Sequence, residues 1–334
     1  MLPRDSSHVP SVSVVIPAYR AAPYIAEALG SVISQTYTDY EIVVVNDGSP
    51  DTPELERVLE PYRSRIVYLV QENQGPSGAR NTGIRAARAA WVAFLDADDA
   101  WEPDFLDSQM AVLRQDPSVD LLYADTRFVE DSIVAGRSAM EFCPSTGEVT
   151  FQKLVRRECT VFLHTTVARR EVLLRAGLFN TAFRHSEDLH LWLRIAKQGG
   201  RIAYQRRVLA RYRRHGDSLS ADGMAMREGY LRVLEEIRRA LPLSGEEIAV
   251  VDQQMVSQRA DWQLQQARQE FRAGRFSAAR DLLQQANSYF RKPTLRMAIL
   301  FLGLPPGLLR RLYIFRLRRP FADIPGSSHR STLP

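Results

Sequence analysis

An α/β fold, with a mostly parallel sheet flanked by helices and a C-terminal α-helical extension, is predicted by three features of this 334-residue chain. Short β-branched runs alternate with helical segments from Ser11 to about Asp125. Each run ends in polar, turn-forming residues, and beyond about Ala221 no strand pattern remains. Strands that alternate with helices pair in parallel through right-handed crossovers, and ligands of such sheets sit beyond the carboxyl ends of the strands.

Residues 12–16 (Val-Ser-Val-Val-Ile) form a nearly continuous apolar run stopped by Pro17, as expected of a strand buried on both faces. Residues 24–33 place Ile25, Ala28, Leu29, Val32 and Ile33 at helical spacing. A second strand, 41–45, ends in Asn46-Asp47-Gly48-Ser49, and 51–62 reads as a second helix. A third strand at 66–70 precedes a third helix at 77–90. A fourth strand, 91–95, runs into Asp96-Ala97-Asp98-Asp99. Four polar strand ends therefore converge on one cleft. Farther on, 161–167 reads as a strand and 186–197 as an amphipathic helix. Residues 227–239, 248–274 and 277–290 read as helices. Within the last two, 267–286 resembles a single tetratricopeptide-type hairpin turning at Gly274, which cannot bury its own face alone. The expected organisation is a tail at 1–10, an α/β domain at 11–225, a helical appendage at 226–290 and a basic amphipathic tail at 291–334.

Composition narrows the function classes. With 45% hydrophobic and 25% charged residues the chain matches ordinary globular proteins rather than disordered or multi-span membrane ones. Residues 1–10 lack the apolar stretch of a secretory signal, and no run reaches the ~18 apolar residues that span a bilayer, so a cytoplasmic location is expected. Cys143 and Cys159 cannot build a disulfide framework, which favours a reduced compartment and leaves a single bridge open. The net charge of +5 is local: residues 291–319 hold eight bases and no acid, so the rest carries −3. Apolar residues interleaved with these arginines suit either an anionic membrane surface or a helix on the protein's own core. No nucleic-acid reader motif accompanies them, so no nucleic-acid partner is expected. Nor is there a Walker A sequence or a Gly-x-Gly-x-x-Gly fingerprint after the first strand.

Chemistry concentrates at the acidic strand end. Three carboxylates in the four residues 96–99 repel one another and lose solvation at a sheet edge, so a cation is expected to compensate them. Hard oxygen ligands suit Mg²⁺ or Mn²⁺; the plainer reading is a solvated acidic loop with Asp99 capping the next helix. Asp47 is either a turn residue or a carboxylate reaching toward a nucleotide.

Five motifs, in order, make the segment from Ser11 to about Ser220 resemble the inverting family-2 glycosyltransferases of GT-A (Rossmann-like) fold. They are Val14-Val15-Ile16-Pro17-Ala18-Tyr19, the strand ending Asn46-Asp47-Gly48-Ser49, Asn73-Gln74-Gly75 through Gly78-Ala79-Arg80-Asn81, Phe94-Leu95-Asp96-Ala97-Asp98-Asp99, and Ser186-Glu187-Asp188 with Trp192. The resemblance implies that Pro17, Ala18 and Tyr19 line the base pocket and that Asp47 binds base or ribose. It implies that Arg80 lies near the nucleotide or its carboxylates, that Asp96 faces the ribose, and that Asp98 binds the metal. Asp99 is then a second metal ligand or the helix cap. Glu187 and Asp188 flank the acceptor with Asp188 as general base, while Trp192 is core or a sugar platform. His215, in Arg211-Tyr212-Arg213-Arg214-His215, contacts metal or diphosphate, or belongs to an exposed basic loop; the role of His185, beside the Glu-Asp pair, stays open. The implied reaction is inverting transfer of a sugar from a nucleoside diphosphate sugar to a carbohydrate or lipid-linked acceptor hydroxyl, in cell-envelope polysaccharide or glycoconjugate synthesis. The contrasting reading is a catalytically silent module that binds sugar nucleotide or a partner.

Overall fold

The computed structural model describes residues 8–129, 134–216, 218 and 221–304. The chain divides into two compact units at the Gly229/Tyr230 junction. In the first unit the strands are β1 (Val12–Ala18), β2 (Tyr40–Asp47), β3 (Ile66–Gln71), β4 (Trp91–Phe94), β5 (Ala100–Trp101), β6 (Leu121–Val129), β7 (Thr166–Arg169) and β8 (Ile202–Arg213). Its helices are α1 (Ile25–Ile33), α2 (Thr52–Leu59), α3 (Gly75–Ala86), α4 (Phe105–Gln115), α5 (Phe151–Val155), α6 (Arg170–Arg175) and α7 (Glu187–Lys197). Helix α8 (Gly223–Ala240) begins in this unit.

The described strands form one sheet in the order β3-β2-β1-β4-β7-β6-β8-β5. Strands β1 to β4 are mutually parallel, β7 runs against both β4 and β6, and β6 pairs in parallel with β8. The mostly parallel sheet predicted from the alternating pattern is therefore present, with β7 and β5 reversed. Alternation along the strands covers both faces. Val14, Ile16, Ile42 and Val44 pack on Ile25 and Leu29 of α1 and on Leu55 and Leu59 of α2. Val43 and Val45, one residue out of step, pack on Ala79 of α3. Because β2 and β3 lie to one side of β1 and β4 to the other, the switch point falls between β1 and β4. Parallel sheets open a ligand crevice there.

Several readings shift. The helix expected at 77–90 is α3 and starts earlier, while the helix at 51–62 ends in a 3-10 turn, Glu60–Tyr62. The strand expected at 161–167 is a 3-10 turn, Leu163–Thr165, followed by β7. Asp99 does not cap a helix: it leads into the two-residue strand β5, which pairs with β8, and the next helix, α4, starts at Phe105. Strands β6 and β8 and helix α4 carry no clear signal in the sequence. In β8 the long run of half-buried and charged residues (Gln205, Arg206, Arg207) hides the period-2 pattern. Cys143 and Cys159 are free thiols.

The second unit, as described, contains α9 (Gly245–Arg272), α10 (Phe276–Phe290) and α11 (Pro293–Leu302), with the rest of α8. The cap Ser244 accepts from the Glu247 amide while Glu247 returns a bond to the Ser244 amide, a capping box that starts α9. Helices α9 and α10 form a hairpin around buried Ala260, Ala267, Ala279 and Ala286, and Leu302 of α11 joins Phe276 and Ala279. Residues 305–334, which include Arg310, Arg311, Arg316, Arg318 and Arg319 of the basic tail, lie outside the described residues.

Candidate active site

The carboxyl ends of β1 and β2 supply the first wall. Asp47 closes β2 buried, and its Oδ1 accepts from Gln71 Nε2 at 2.6 Å and from the Gln74 amide at 2.9 Å. Its carbonyl accepts from Asn73 Nδ2 at 2.9 Å. Gly48 follows at φ +60°, where an added Cβ would lie 2.8 Å from the Asn73 amide, so the turn demands glycine. At the end of β1 Ala18 is fully buried among the core residues, Pro17 is partly open, and Tyr19 is 49% exposed. Arg20 takes a left-handed backbone (φ +52°), held by its amide donating to Ser49 Oγ at 2.6 Å.

The centre is a triad of charges around a buried arginine. Arg80, on α3 and 7% exposed, donates through Nη2 to Asp96 Oδ1 at 2.6 Å and through Nη1 to Glu187 Oε1 at 2.8 Å. Burial opposes its charge, but Asp96 and Glu187 more than offset this and raise its pKa above the ordinary arginine value. Asn81, next in sequence, donates to the Phe179 carbonyl at 2.8 Å and accepts the Phe179 amide at 2.9 Å. Neighbouring residues of α3 thus tie down both the acidic strand end and the segment leading into α7. Sequence reasoning gave Asn81 no role of its own.

Beside the triad, Asp98 Oδ2 lies 3.1 Å from His215 Nε2, with side chains 31% and 21% exposed. The His215 ring stacks on Tyr24 at 5.0 Å. Burial, and then the Asp96 charge, raise the pKa of Asp98. A carboxylate oxygen and an imidazole nitrogen side by side and partly open fit a divalent cation. Asp99 is different. Its carboxyl has no exposed surface; Oδ1 accepts the Arg213 amide at 2.9 Å and Oδ2 lies 3.2 Å from Nδ1 of buried His164. Asp96, Asp99 and His164 bring ligand atoms within 4.8 Å of one another, but the Arg80 guanidinium already neutralises Asp96 there. His164, whose pKa burial pushes down to about 4, is the member of this cluster that sequence reasoning did not single out.

The last wall is the first turn of α7. Ser186 precedes it at φ +59°, a backbone that non-glycine residues rarely adopt and that marks sites held by their surroundings. Asp188 keeps part of its surface open, and its Oδ1 accepts its own Leu189 amide at 2.7 Å. Burial, and then the neighbouring Glu187 charge, push its pKa up to about 7. Trp192 is buried against Phe179, which leaves it no exposed face for a sugar. His185 packs against Gly229 of α8.

The family model described as "Glycosyl transferase family 2" matches residues 13–174. The chain is 30% identical over 213 residues to the UDP-Glc:alpha-D-GlcNAc-diphosphoundecaprenol beta-1,3-glucosyltransferase WfgD of Escherichia coli, a match covering 63% of this chain and 80% of that one. It belongs to glycosyltransferase family 2. Another member, the putative teichuronic acid biosynthesis glycosyltransferase TuaG of Bacillus subtilis (strain 168), is 28% identical over 235 residues, 69% of this chain and 89% of that one. Among solved structures, S. aureus TarS 1-349 in complex with UDP-GlcNAc superposes with TM-score 0.60 at 19% identity, covering 86% and 87% of the two chains. Mannosyltransferase PcManGT from Pyrobaculum calidifontis, in complex with GDP-Man and Mn²⁺, gives TM-score 0.60 at 21% identity over 94% and 82%. These likenesses establish the GT-A fold.

In this family-2 chain the structure joins Arg80, Asp96 and Glu187 by direct contact, and Asp98 with His215. Asp47 and Tyr19 sit at the same carboxyl edge, on the neighbouring strands β2 and β1. The seat of α7 yields a prediction. A Cβ on Gly229 would fall 2.6 Å from His185 Cβ and 2.9 Å from the His185 carbonyl oxygen, so Gly229→Ala must push α8 off the segment that carries Glu187 and Asp188. We expect this variant to stay folded while turnover falls at least tenfold; unchanged turnover in a steady-state assay would show that α8 does not support the site.

Proposed function

We propose that the chain transfers a sugar from a nucleoside diphosphate sugar to an acceptor hydroxyl with inversion at the anomeric carbon, using Asp188 as general base. The observation that carries this is Asp188 itself: a partly open carboxylate with its pKa near 7, on a helix whose first residue, Glu187, is bolted through Arg80 to the acidic strand end. An acceptor hydroxyl is a poor nucleophile until a positioned base takes its proton, and a base titrating near the working pH does so most efficiently. Asp188 accepts the acceptor proton as that oxygen bonds to the anomeric carbon. The bond from that carbon to the diphosphate oxygen breaks on the opposite face, and its electron pair leaves with the diphosphate. Tyr19 and Pro17 offer surface to the base, Asp47 and Asp96 take the nucleoside, and Glu187 holds Arg80 in place. Asp98 and His215 would hold Mg²⁺ or Mn²⁺, with Asp99 left out of the set because its carboxyl has no exposed surface. The ion when bound supplies Lewis-acid neutralisation of the leaving diphosphate.

The names and ligands of the similar proteins point to UDP- or GDP-linked hexoses as donors and to an acceptor on a lipid carrier or envelope polymer. Two measurements check the base. Asp188→Asn should lower kcat by about 10²–10⁴, the usual worth of a general base, with donor binding retained. Because only the deprotonated carboxylate works, log(kcat/KM) should be flat above pH ~7 and fall with unit slope below it. Turnover indifferent to Asp188→Asn would place the base elsewhere, no turnover in the parent chain would support the silent-module reading, and NMR of the first product anomer decides inversion.

We also propose a peripheral membrane contact through the second unit. Helix α11 exposes Met297, Leu300 and Phe301, followed by exposed Leu304, while Leu302 is buried; Arg291 and Arg296 are exposed beside them. The span 282–322 contains no acidic residue and eight bases. An apolar stripe with basic flanks fits an anionic bilayer surface, where each base contributes about 1 kcal/mol. No described helix is long and apolar enough to cross a membrane. The full chain should float with phosphatidylglycerol vesicles and not with phosphatidylcholine ones. The triple change Met297→Ser, Leu300→Ser, Phe301→Ser should abolish flotation; equal flotation of both proteins contradicts the contact.

A further inference from the structure

The end of β2 is built as a site with a single open acceptor. Strands β2 and β3 lie side by side and pair Asp47 with Gln71 as their last residues. The Asp47 side chain is therefore framed by the end of β3 and the start of α3. Gln71 Nε2 donates to its Oδ1 at 2.6 Å, and the amide of Gln74, the residue that precedes α3, donates to the same oxygen at 2.9 Å. Among the described residues none donates to Oδ2. Gln71 is itself held, since its Oε1 accepts Thr82 Oγ1 of α3 at 2.5 Å. A carboxylate only accepts, so Gln71 must turn its NH₂ to Asp47 and its carbonyl to Thr82.

Acceptor capacity decides what such a carboxylate reads. An oxygen with two lone pairs and two N–H donors already in place is full, which leaves Oδ2 for a ligand. Asp47 is only 2% exposed, so a base group brought against it without a partner loses its water and gains nothing in return. Nucleobases differ in what they bring to one acceptor. Uracil brings a single N–H, at N3, between two carbonyls. Guanine brings N1–H and its exocyclic amino group side by side, and these ask for two acceptors at once. A carboxylate with both oxygens open supplies them; Asp47 in this frame does not.

We propose that Gln71 is a specificity-determining residue: by occupying Oδ1 of Asp47 it leaves one acceptor, which takes the N3–H of uracil and discriminates against guanine, so that the donor is a uridine rather than a guanosine diphosphate sugar. This rests on the reading that Asp47 meets the nucleoside, and it narrows that reading to one class of base. Sites built for one set of hydrogen bonds reject a ligand that leaves polar groups unpaired.

The test is calorimetric titration of the full chain with UDP, GDP and CDP in the presence of Mn²⁺. For the parent we expect UDP to bind at least tenfold tighter than GDP. Gln71→Met keeps the bulk but frees Oδ1, and the UDP-to-GDP ratio should narrow at least threefold. A merely structural loss would weaken both nucleotides alike and leave the ratio where it was. A parent without UDP preference, or a ratio unmoved by Gln71→Met, overturns the proposal. If that variant fails to fold, Thr82→Val, which releases the Gln71 carbonyl, carries the same comparison: narrowing supports the role and an unchanged ratio overturns it. Asp47→Asn separates the two levels. Because Gln71 and Gln74 both donate to Oδ1, the new amide must place its carbonyl there and face the ligand with its NH₂ where Oδ2 stood. UDP should then weaken at least tenfold, and CDP, whose N3 accepts, should become the tighter of the two. That reversal alongside an unmoved Gln71→Met ratio would fail the role of Gln71 alone. Equal losses for all three nucleotides would put the ribose on Oδ2 and overturn the proposal. Binding of all three unchanged by Asp47→Asn would show that the nucleoside lies elsewhere, and the underlying reading fails.

Discussion

The site depends on one buried cation. Arg80 lies between Asp96, at the end of β4, and Glu187, at the start of α7, with almost none of its side chain in water. A desolvated guanidinium between two carboxylates is a demanding arrangement. Each charge loses hydration, and only the planar fork, donating to both sides at once, offsets that loss. The net contribution of such a triad to stability is small when intact and large when broken. Its value here is geometric: it fixes the separation of a strand end and a helix start that lie 91 positions apart in the chain.

The remaining geometry is arranged around that fixed point. The switch of strand order between β1 and β4 opens the crevice, and Asp47, Tyr19 and Asp96 reach its rim because their strands run parallel and end at the same edge. On the other side, β5 pairs Ala100 with Arg211, which brings the end of β8, and with it His215, against the acidic segment. Asp188 gains its raised pKa from the same enclosure that burdens Arg80, since it shares the first turn of α7 with Glu187. The residues proposed for donor, cation and base thus lie on three walls joined by short polar contacts rather than by a single motif.

The first half of the fold was legible because its strands are apolar on both faces and its turns are spelled in Pro, Asn, Asp and Gly; β1 to β4 were placed within about two residues. Strand β8 was not legible, since Gln205, Arg206 and Arg207 break any alternation and its pairing with β6 shifts register. That miss left the Arg211–His215 cluster divided between ion contact and exposed loop, although the strand is what carries it to Asp98. Asp99 was divided between metal ligand and helix cap, and the structure shows it doing neither of the things a cap does: it leads into a strand and holds the end of another. The closing of Arg80 on carboxylates could be anticipated from the motifs; its simultaneous grip on Glu187 could not, because nothing local links positions 80 and 187. His164 had no signal beyond being a histidine in an apolar stretch, the common signature of a core residue. The second unit showed its helices clearly, but which face of α11 stays open depends on Leu302 finding Phe276 and Ala279.

A double-mutant cycle on Arg80 and Glu187, followed by chemical denaturation, addresses the central interaction most directly. Arg80→Met alone strands the buried Glu187 and the half-buried Asp96 and should cost about 3–5 kcal/mol, whereas combining it with Glu187→Gln should recover a large part of that loss. Effects that simply add to within ~0.5 kcal/mol would mean that the two side chains do not support each other, and the site would need another anchor.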